Sequence, residues 1–257
     1  MSKANFAEIY IYHSHKKAHM ALRVIVDGKP CSGKTTISHE VESMLRSDGI
    51  PALDAKAFAL EKGMLAGLLR RFPDTEINSF RELAVSGIRH TLSYVALEAS
   101  AWQNDARYEV MLLQRSPYAF SFMMDAASIA LGGVARHAPS RLAYSAISAW
   151  AGMVRPELFI YLTADTGILR QRFAERKEGK DRIHKLMIEQ DDSRHVALLR
   201  GYMGANFHIV DNSSDIRSAA ETVCCIIKER LNNNERDSQR RILSRDSGQH
   251  LSSAEFS

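Results

Sequence analysis

Short apolar runs alternate along the chain with segments whose apolar side chains recur every three or four residues. Near-continuous apolar runs are typical of strands buried on both faces of a sheet. The runs that predict strands are residues 22–26, 50–52, 109–113, 158–162 and 207–210. The helical period covers residues 35–46, 80–103 and 216–231. This alternation predicts an α/β fold, a doubly wound parallel sheet of about five strands with helices on both faces.

Both ends of the chain differ from this alternating body. Residues 1–21 carry several His and Lys side chains before the first strand, and we expect them to form an N-terminal extension of a domain spanning residues 22–231. From residue 232 the sequence changes to Asn, Ser and mixed charge with few apolar side chains. Residues 232–257 are therefore predicted to be a disordered tail.

The composition limits the classes of protein to be considered. The 257 residues are 45% hydrophobic and 25% charged with a net charge of +4, as in a globular, mildly basic protein. No apolar run is long enough for a membrane span, and the first residues lack the apolar core of a signal peptide. Three cysteines are too few for a disulfide framework. We expect a cytoplasmic protein that binds neither membrane nor nucleic acid.

A glycine-rich sequence follows the first predicted strand. Residues 28–35 read Gly-Lys-Pro-Cys-Ser-Gly-Lys-Thr, which fits the Walker A, or P-loop, pattern G-x-x-x-x-G-K-[ST]. Such a loop points backbone N–H groups at phosphate, and the next helix adds partial positive charge at its N-terminus. We expect Lys34 to reach the β- and γ-phosphates of ATP and the Thr35 hydroxyl to bind Mg²⁺. The predicted nucleotide-binding residues are Gly28, Lys29, Pro30, Cys31, Ser32, Gly33, Lys34, Thr35 and Thr36.

Two shorter features lie further along the chain. The third strand leads into Gln114-Arg115-Ser116, where thymidylate kinases have Asp-Arg and an aromatic residue and deoxynucleoside kinases have Glu-Arg-Ser. Residues 170–182 hold six basic side chains in thirteen, similar to the lid that closes over the triphosphate in those enzymes. Over residues 22–231 the chain thus resembles the thymidylate kinase and deoxynucleoside kinase branch of P-loop kinases. The resemblance implies an ATP- and Mg²⁺-dependent phosphotransferase.

The resemblance also implies roles for individual side chains. Arg115 would bind the acceptor's phosphate or the transferring phosphoryl group, and Arg89 would contact the acceptor nucleotide. Lid arginines would neutralise the triphosphate, which suits a reaction that depends on positioning and charge stabilisation. The predicted catalytic residues are Lys34, Arg115, Arg176 and Arg182, and the predicted acceptor-binding residues are Arg89, Gln114, Arg115 and Tyr118. A solvated or ion-paired arginine is the plainer alternative for Arg89 and the lid.

Departures from the family pattern leave the acceptor open. Gln114 stands where the relatives have an acid, and a neutral amide can orient a hydroxyl but cannot accept its proton. Asp54, after the second strand, could serve the metal or the acceptor, or be a surface side chain. The favoured acceptor is a nucleotide; a non-nucleotide small metabolite is the alternative, as is a nucleotide-binding regulatory protein without turnover. The oligomeric state is also open, with a homodimer as one option.

Overall fold

A five-stranded sheet forms the centre of the computed structural model. The model describes residues 21–61, 67, 80–104, 106–114, 122–123, 125–127, 129, 157–176 and 182–249. The strands are β1 (Leu22–Gly28), β2 (Ala52–Asp54), β3 (Val110–Gln114), β4 (Leu158–Thr163) and β5 (Phe207–Asp211). All neighbouring strands are parallel, in the order β2-β3-β1-β4-β5. The prediction of an α/β fold with a parallel sheet of five strands is confirmed.

Helices flank this sheet. They are α1 (Lys34–Ser47), α2 (Ala55–Glu61), α3 (Phe80–Asn104), α4 (Thr166–Glu175), α5 (Arg182–Glu189), α6 (Ser193–Met203) and α7 (Ile216–Gln249). A short 3₁₀ turn, Gly204–Asn206, joins α6 to β5. No helix in the described part of the chain is long and apolar enough to cross a membrane.

Successive side chains of β1 enter two different hydrophobic clusters, as the alternation of a strand requires. Val24 and Val26 pack in the first cluster with residues of α1 and α7, namely Ile37, Val41, Ala220, Val223 and Ile227. Ile25 lies in the second cluster with residues of α2, α3 and α6, namely Ala59, Leu97 and Leu199. Helices therefore cover both faces of the sheet, which explains why its strands are almost continuously apolar.

The register of the sheet determines which residues meet at its carboxyl edge. Val26 of β1 lies beside Gln114, the last residue of β3, and Gly28 lies beside Leu162 of β4. The loop that leaves β1 therefore begins between the ends of β3 and β4. Open α/β sheets bind their ligands at this edge.

The structure describes most of only one of the two predicted terminal segments. Residues 1–20 of the predicted extension lie outside the described residues. The sequence predicts a disordered tail from residue 232, whereas α7 continues to Gln249 with Asn232 and Asn233 exposed on it. The residues that follow include Glu, Gln, Arg and Leu, which have good helix propensity, so a helix already stabilised by packing can extend through them.

Candidate functional site

The glycine-rich loop between β1 and α1 is tightly wound. Gly28 and Gly33 adopt φ angles of 147° and 92°. A Cβ atom on Gly28 would lie 2.3 Å from the carbonyl oxygen of Leu162, and one on Gly33 would lie 2.4 Å from Nδ2 of Asn212. Cys31 adopts a φ of 63°, in the left-handed region that side chains disfavour. The path of the loop thus depends on glycine at both positions.

The end of this loop is suited to an anion. Gly33 is the N-cap of α1, so no side chain caps the helix, and its first turn holds no acidic residue. The N–H groups of this turn and the helix dipole are then available to a negatively charged ligand. Lys34 adds a full charge: its Nζ donates hydrogen bonds of 2.8 Å and 2.7 Å to the carbonyl oxygens of Gly28 and Lys29.

A chain of hydrogen bonds leads from the loop to the neighbouring strands. The Thr35 hydroxyl donates to Oε1 of Gln114 over 2.9 Å, and Nε2 of Gln114 donates to Oδ2 of Asp54 over 2.7 Å. Asp54 is only 2% exposed, so its interpretation as a surface side chain is wrong. Burial raises its pKa, opposed by hydrogen bonds from the backbone of Ala57 and Lys56 and from Gln114.

Lys56, in the first turn of α2, joins this network and was missed in the sequence. Its Nζ donates to Oγ1 of Thr35 over 3.1 Å and to Oε1 of Gln114 over 3.3 Å. The sequence signal is a lysine two residues after Asp54. This spacing indicates a contact with Gln114 only when it is known that β2 lies next to β3.

Thr35, Gln114 and Lys56 border a cavity of about 520 Å³, a size typical of small-molecule sites. The loop and α1 contribute Gly28, Pro30, Cys31, Gly33, Lys34, Thr35 and Thr36. Residues outside the loop also line the cavity, namely Met123, Arg172 and Glu175 of α4, Arg176 directly after α4, and His184 and Met187 of α5. Asn212, between β5 and α7, and Ile216, the first residue of α7, complete the lining. The cavity therefore combines cationic, polar and apolar groups with one carboxylate, that of Glu175.

Two of the arginines in the predicted lid border the cavity. Nη2 of Arg172 donates to the backbone oxygen of Asn212 over 2.9 Å. Nη1 of Arg176 lies 4.0 Å from Sγ of Cys31, at the tip of the loop. Arg182 is exposed at the start of α5 and is not among the residues that line the cavity. Of the arginines predicted for the lid, Arg172 and Arg176 therefore lie at the site, whereas Arg182, predicted to be catalytic, does not.

Only one of the residues predicted to bind the acceptor lines the cavity among those that the structure describes. Gln114 lines the cavity beside Thr35. Arg89 is half-buried on α3 and is not among the residues lining the cavity. Arg115 and Tyr118 lie outside the described residues, so their roles stay predictions.

Two residues of the loop have side chains that do not line the cavity. Lys29 extends to the connection between α5 and α6, where its Nζ donates to the carbonyl oxygen of Gln190 over 2.7 Å and lies 3.6 Å from Oδ1 of Asp192. Ser32 is buried, and its carbonyl oxygen accepts a hydrogen bond of 2.9 Å from the side chain of Asn212. Any contact of Lys29 or Ser32 with a phosphate would use the backbone.

The donor set suits a cation that is held mainly by its ligand. Within the described residues no group of three or more His, Cys, Asp or Glu side chains could hold a metal ion. Mg²⁺ commonly takes few protein oxygens and completes its shell with phosphate and water. Oγ1 of Thr35 and Oε1 of Gln114, 2.9 Å apart, are oxygens of this kind and fit Mg²⁺ beside a phosphate.

The arrangement as a whole can bind a polyanion against Lys34 and α1 and hold a hard cation at the oxygens of Thr35 and Gln114. No protein-family model matches the chain, and no curated protein sequence matches it.

Proposed function

We propose that the protein transfers the γ-phosphoryl group of ATP, with Mg²⁺, to a small-molecule acceptor, most favourably a nucleotide of the thymidylate type. The observation that carries the proposal is the position of Lys34 across the glycine-rich loop, beside the Thr35–Gln114–Asp54 chain. A phosphate cradle and a metal-binding hydroxyl are the parts that P-loop phosphotransferases share. The resemblance of the sequence to thymidylate and deoxynucleoside kinases supports the same reaction.

The triphosphate would occupy the loop side of the cavity. The uncapped first turn of α1 and the ammonium of Lys34 would bind the β- and γ-phosphates. Arg172 and Arg176 also line the cavity, and their guanidinium groups suit phosphate oxygens. Mg²⁺, when bound, would neutralise part of the charge that develops on the phosphates. The chain itself would supply orientation and charge.

The acceptor follows from the chemistry of Gln114. Its amide lies beside Thr35 and cannot remove a proton. An acceptor that is itself a phosphate needs no base, because its oxygens are already anionic. This favours a nucleoside monophosphate over a nucleoside or another alcohol. The same neutral amide is what favours the second candidate function, a nucleotide-binding regulatory protein without turnover.

A panel of acceptors tests the proposal. ADP release from Mg-ATP would be measured with nucleosides, nucleoside monophosphates and phosphorylated metabolites, using wild type, Lys34→Ala and Lys185→Ala. Lys185 is exposed on α5 and does not line the cavity, so it is the matched control. We expect transfer to one class of acceptor and a loss of roughly 10²- to 10³-fold in Lys34→Ala alone. Tight ATP binding without transfer would support the regulatory candidate, and a chain that binds no ATP would overturn both.

A further inference from the structure

Two ammonium groups reach Thr35 and the loop from different elements. Lys34 belongs to the glycine-rich loop and α1, and Lys56 belongs to α2, which follows β2. Nζ of Lys56 lies 3.1 Å from Oγ1 of Thr35 and 3.3 Å from Oε1 of Gln114, and both lysines line the same cavity. The glycine-rich pattern accounts for Lys34 alone. The second lysine therefore needs its own explanation.

One buried carboxylate, that of Asp54, bonds the backbone of Lys56 directly and the partner of its Nζ, Gln114, through the amide. Oδ1 of Asp54 accepts hydrogen bonds from the backbone N–H groups of Lys56, over 2.9 Å, and Ala57, over 3.3 Å. Oδ2 of Asp54 accepts from the amide of Gln114, and the oxygen of that amide accepts from Nζ of Lys56. A lysine held in this way is pre-organised, unlike a solvated surface lysine, and pre-organised charge is what stabilises a transition state.

We infer that Lys56 is a second catalytic lysine, which binds the transferring phosphoryl group and shares the oxygens of Thr35 and Gln114 with Mg²⁺. The inference rests on the proposed function. An ammonium hydrogen-bonded to Thr35 is close to any phosphate held at that hydroxyl. Lys56 cannot keep its bonds to both oxygens when a cation takes them, so its ammonium then turns to the phosphoryl oxygens.

The transfer itself needs no proton from Lys56. The bond between γ-phosphorus and the bridging oxygen breaks, and its electron pair stays on the oxygen of ADP. A lone pair of the acceptor oxygen forms the new phosphorus–oxygen bond. Lys56 stays protonated throughout and donates hydrogen bonds to the oxygens on which charge builds up.

If Lys56 and Mg²⁺ compete for the oxygens of Thr35 and Gln114, replacing Lys56 should have opposite effects on ATP binding and on metal binding. Removing Lys56 removes a positive charge from the phosphates, so metal-free ATP should bind less tightly and turnover should fall. It also removes a competitor for Thr35 and Gln114, so a divalent cation should bind the ATP complex more tightly. A lysine that only stabilised the fold would weaken all of these together.

Three variants carry the test, namely Lys56→Met, Lys56→Arg and the control Lys185→Met. Calorimetry would measure ATP binding with the metal chelated, electron paramagnetic resonance would follow Mn²⁺ binding to the ATP complex, and kcat would be measured with the best acceptor. In Lys56→Met we expect metal-free ATP to bind about tenfold more weakly, kcat to fall at least about tenfold, and Mn²⁺ to bind more tightly. Lys56→Arg should recover part of kcat, and Lys185→Met should match wild type.

The outcomes separate this inference from the proposed function. Unchanged ATP binding, Mn²⁺ binding and kcat in folded Lys56→Met would overturn the role of Lys56, as would weaker Mn²⁺ binding. Wild-type protein that binds no ATP with or without metal would overturn the proposed function itself. Thermal unfolding would show that each variant folds. If Lys56→Met does not fold, Lys56→Leu provides the same test, since it also removes both the charge and the donor that competes for Thr35 and Gln114.

Discussion

The side-chain amide of Gln114 donates a hydrogen bond of 2.7 Å to the carboxylate of Asp54, across 60 positions of sequence. Gln114 stands where the kinases that the sequence resembles have an acid, yet it is paired here with a buried acid on the adjacent strand. The carboxylate of Asp54 is thus connected to Thr35 through the amide of Gln114. The amide faces Thr35, and the carboxylate holds the amide and the start of α2.

The first prediction concerns the stability of variants in which the amide of Gln114 and the carboxylate of Asp54 are exchanged. Gln114→Glu places two carboxylates at hydrogen-bonding distance and removes the donor, so we expect it to lower the free energy of unfolding by about 1–3 kcal/mol at neutral pH. Like-charged neighbours raise each other's pKa, so the loss should shrink as the pH falls. Adding Asp54→Asn restores one amide facing one carboxylate, while the new amide oxygen can still accept from the backbone of α2.

Urea unfolding at pH 7.5 and pH 5 would be compared for wild type, both single variants and the double variant. We expect the double variant to recover most of the stability lost in Gln114→Glu. Additive losses, with no recovery, would show that the hydrogen bond between Gln114 and Asp54 does not stabilise the fold.

Differential labelling of the cysteines is the second prediction. Cys31 lines the cavity, Cys224 is buried with a pKa raised to about 11, and Cys225 is exposed on α7. We expect iodoacetamide at pH 7.5 to label Cys31 and Cys225 but hardly Cys224, because only a thiolate reacts. Mg-ATP should protect Cys31 alone, which leaves Cys225 as an internal reference in mass spectrometry. If the rate of labelling of Cys31 is the same with and without Mg-ATP, this would argue against a phosphate site at this loop.

Local sequence carried enough information for four of the five strands and for the loop, whereas the predicted strand over residues 50–52 shares only Ala52 with β2. The predicted strand over residues 109–113 differs by one residue from Val110–Gln114, because an apolar run of this short length between polar residues suits a buried strand better than a helix. The glycine-rich loop was equally readable, since its whole pattern lies within eight consecutive residues. The tail was not, because composition indicates poor core-forming capacity and does not exclude a helix that continues from α7.

Long-range neighbours at the site could not be predicted. Lys56 meets Thr35 and Gln114 only because the sheet places β2 beside β3 and β3 beside β1, an order that spacing does not encode. Lys29 was assigned to phosphate from its place in the loop, yet its side chain bonds the connection between α5 and α6. Sequence therefore gives the residue types of a site more readily than the directions of their side chains.

Titration of His195 gives the third prediction. His195 lies on α6 with its ring 5.0 Å from that of Phe122, and burial lowers its pKa below 6.5, although Asp125, Asp192 and Asp27 oppose this. The folded state then binds this proton less readily than the unfolded state, so stability falls as the pH drops through 6.5 toward the lower pKa of the folded protein. In urea unfolding, the free energy of unfolding of wild type should fall more between pH 7.5 and pH 5.5 than that of His195→Gln. Parallel losses in the two proteins would exclude His195 as a source of the pH dependence.

Lys29 provides the fourth prediction, because it ties the loop to a distant part of the fold. Its Nζ donates to the carbonyl oxygens of Gln190, over 2.7 Å, and Ile188, over 3.4 Å. It also lies 3.6 Å from Asp192, whose other carboxylate oxygen accepts a hydrogen bond of 2.6 Å from Tyr161. The loop is thereby attached to the end of α5, the helix that contributes His184 and Met187 to the cavity.

Lys29→Met removes this attachment without touching the phosphate-facing side of the loop. We expect it to lower the free energy of unfolding by about 1–3 kcal/mol, since charged hydrogen bonds to partly buried acceptors are lost. We also expect it to raise KM for ATP more than it lowers kcat, because a looser loop costs binding while Lys34 still reaches the phosphates. Lys29→Arg should recover part of both effects, and kinetics with urea unfolding would measure them. A kcat loss as large as that of Lys34→Ala, with KM and stability unchanged, would instead place the Lys29 ammonium on the reacting phosphate and contradict the attachment.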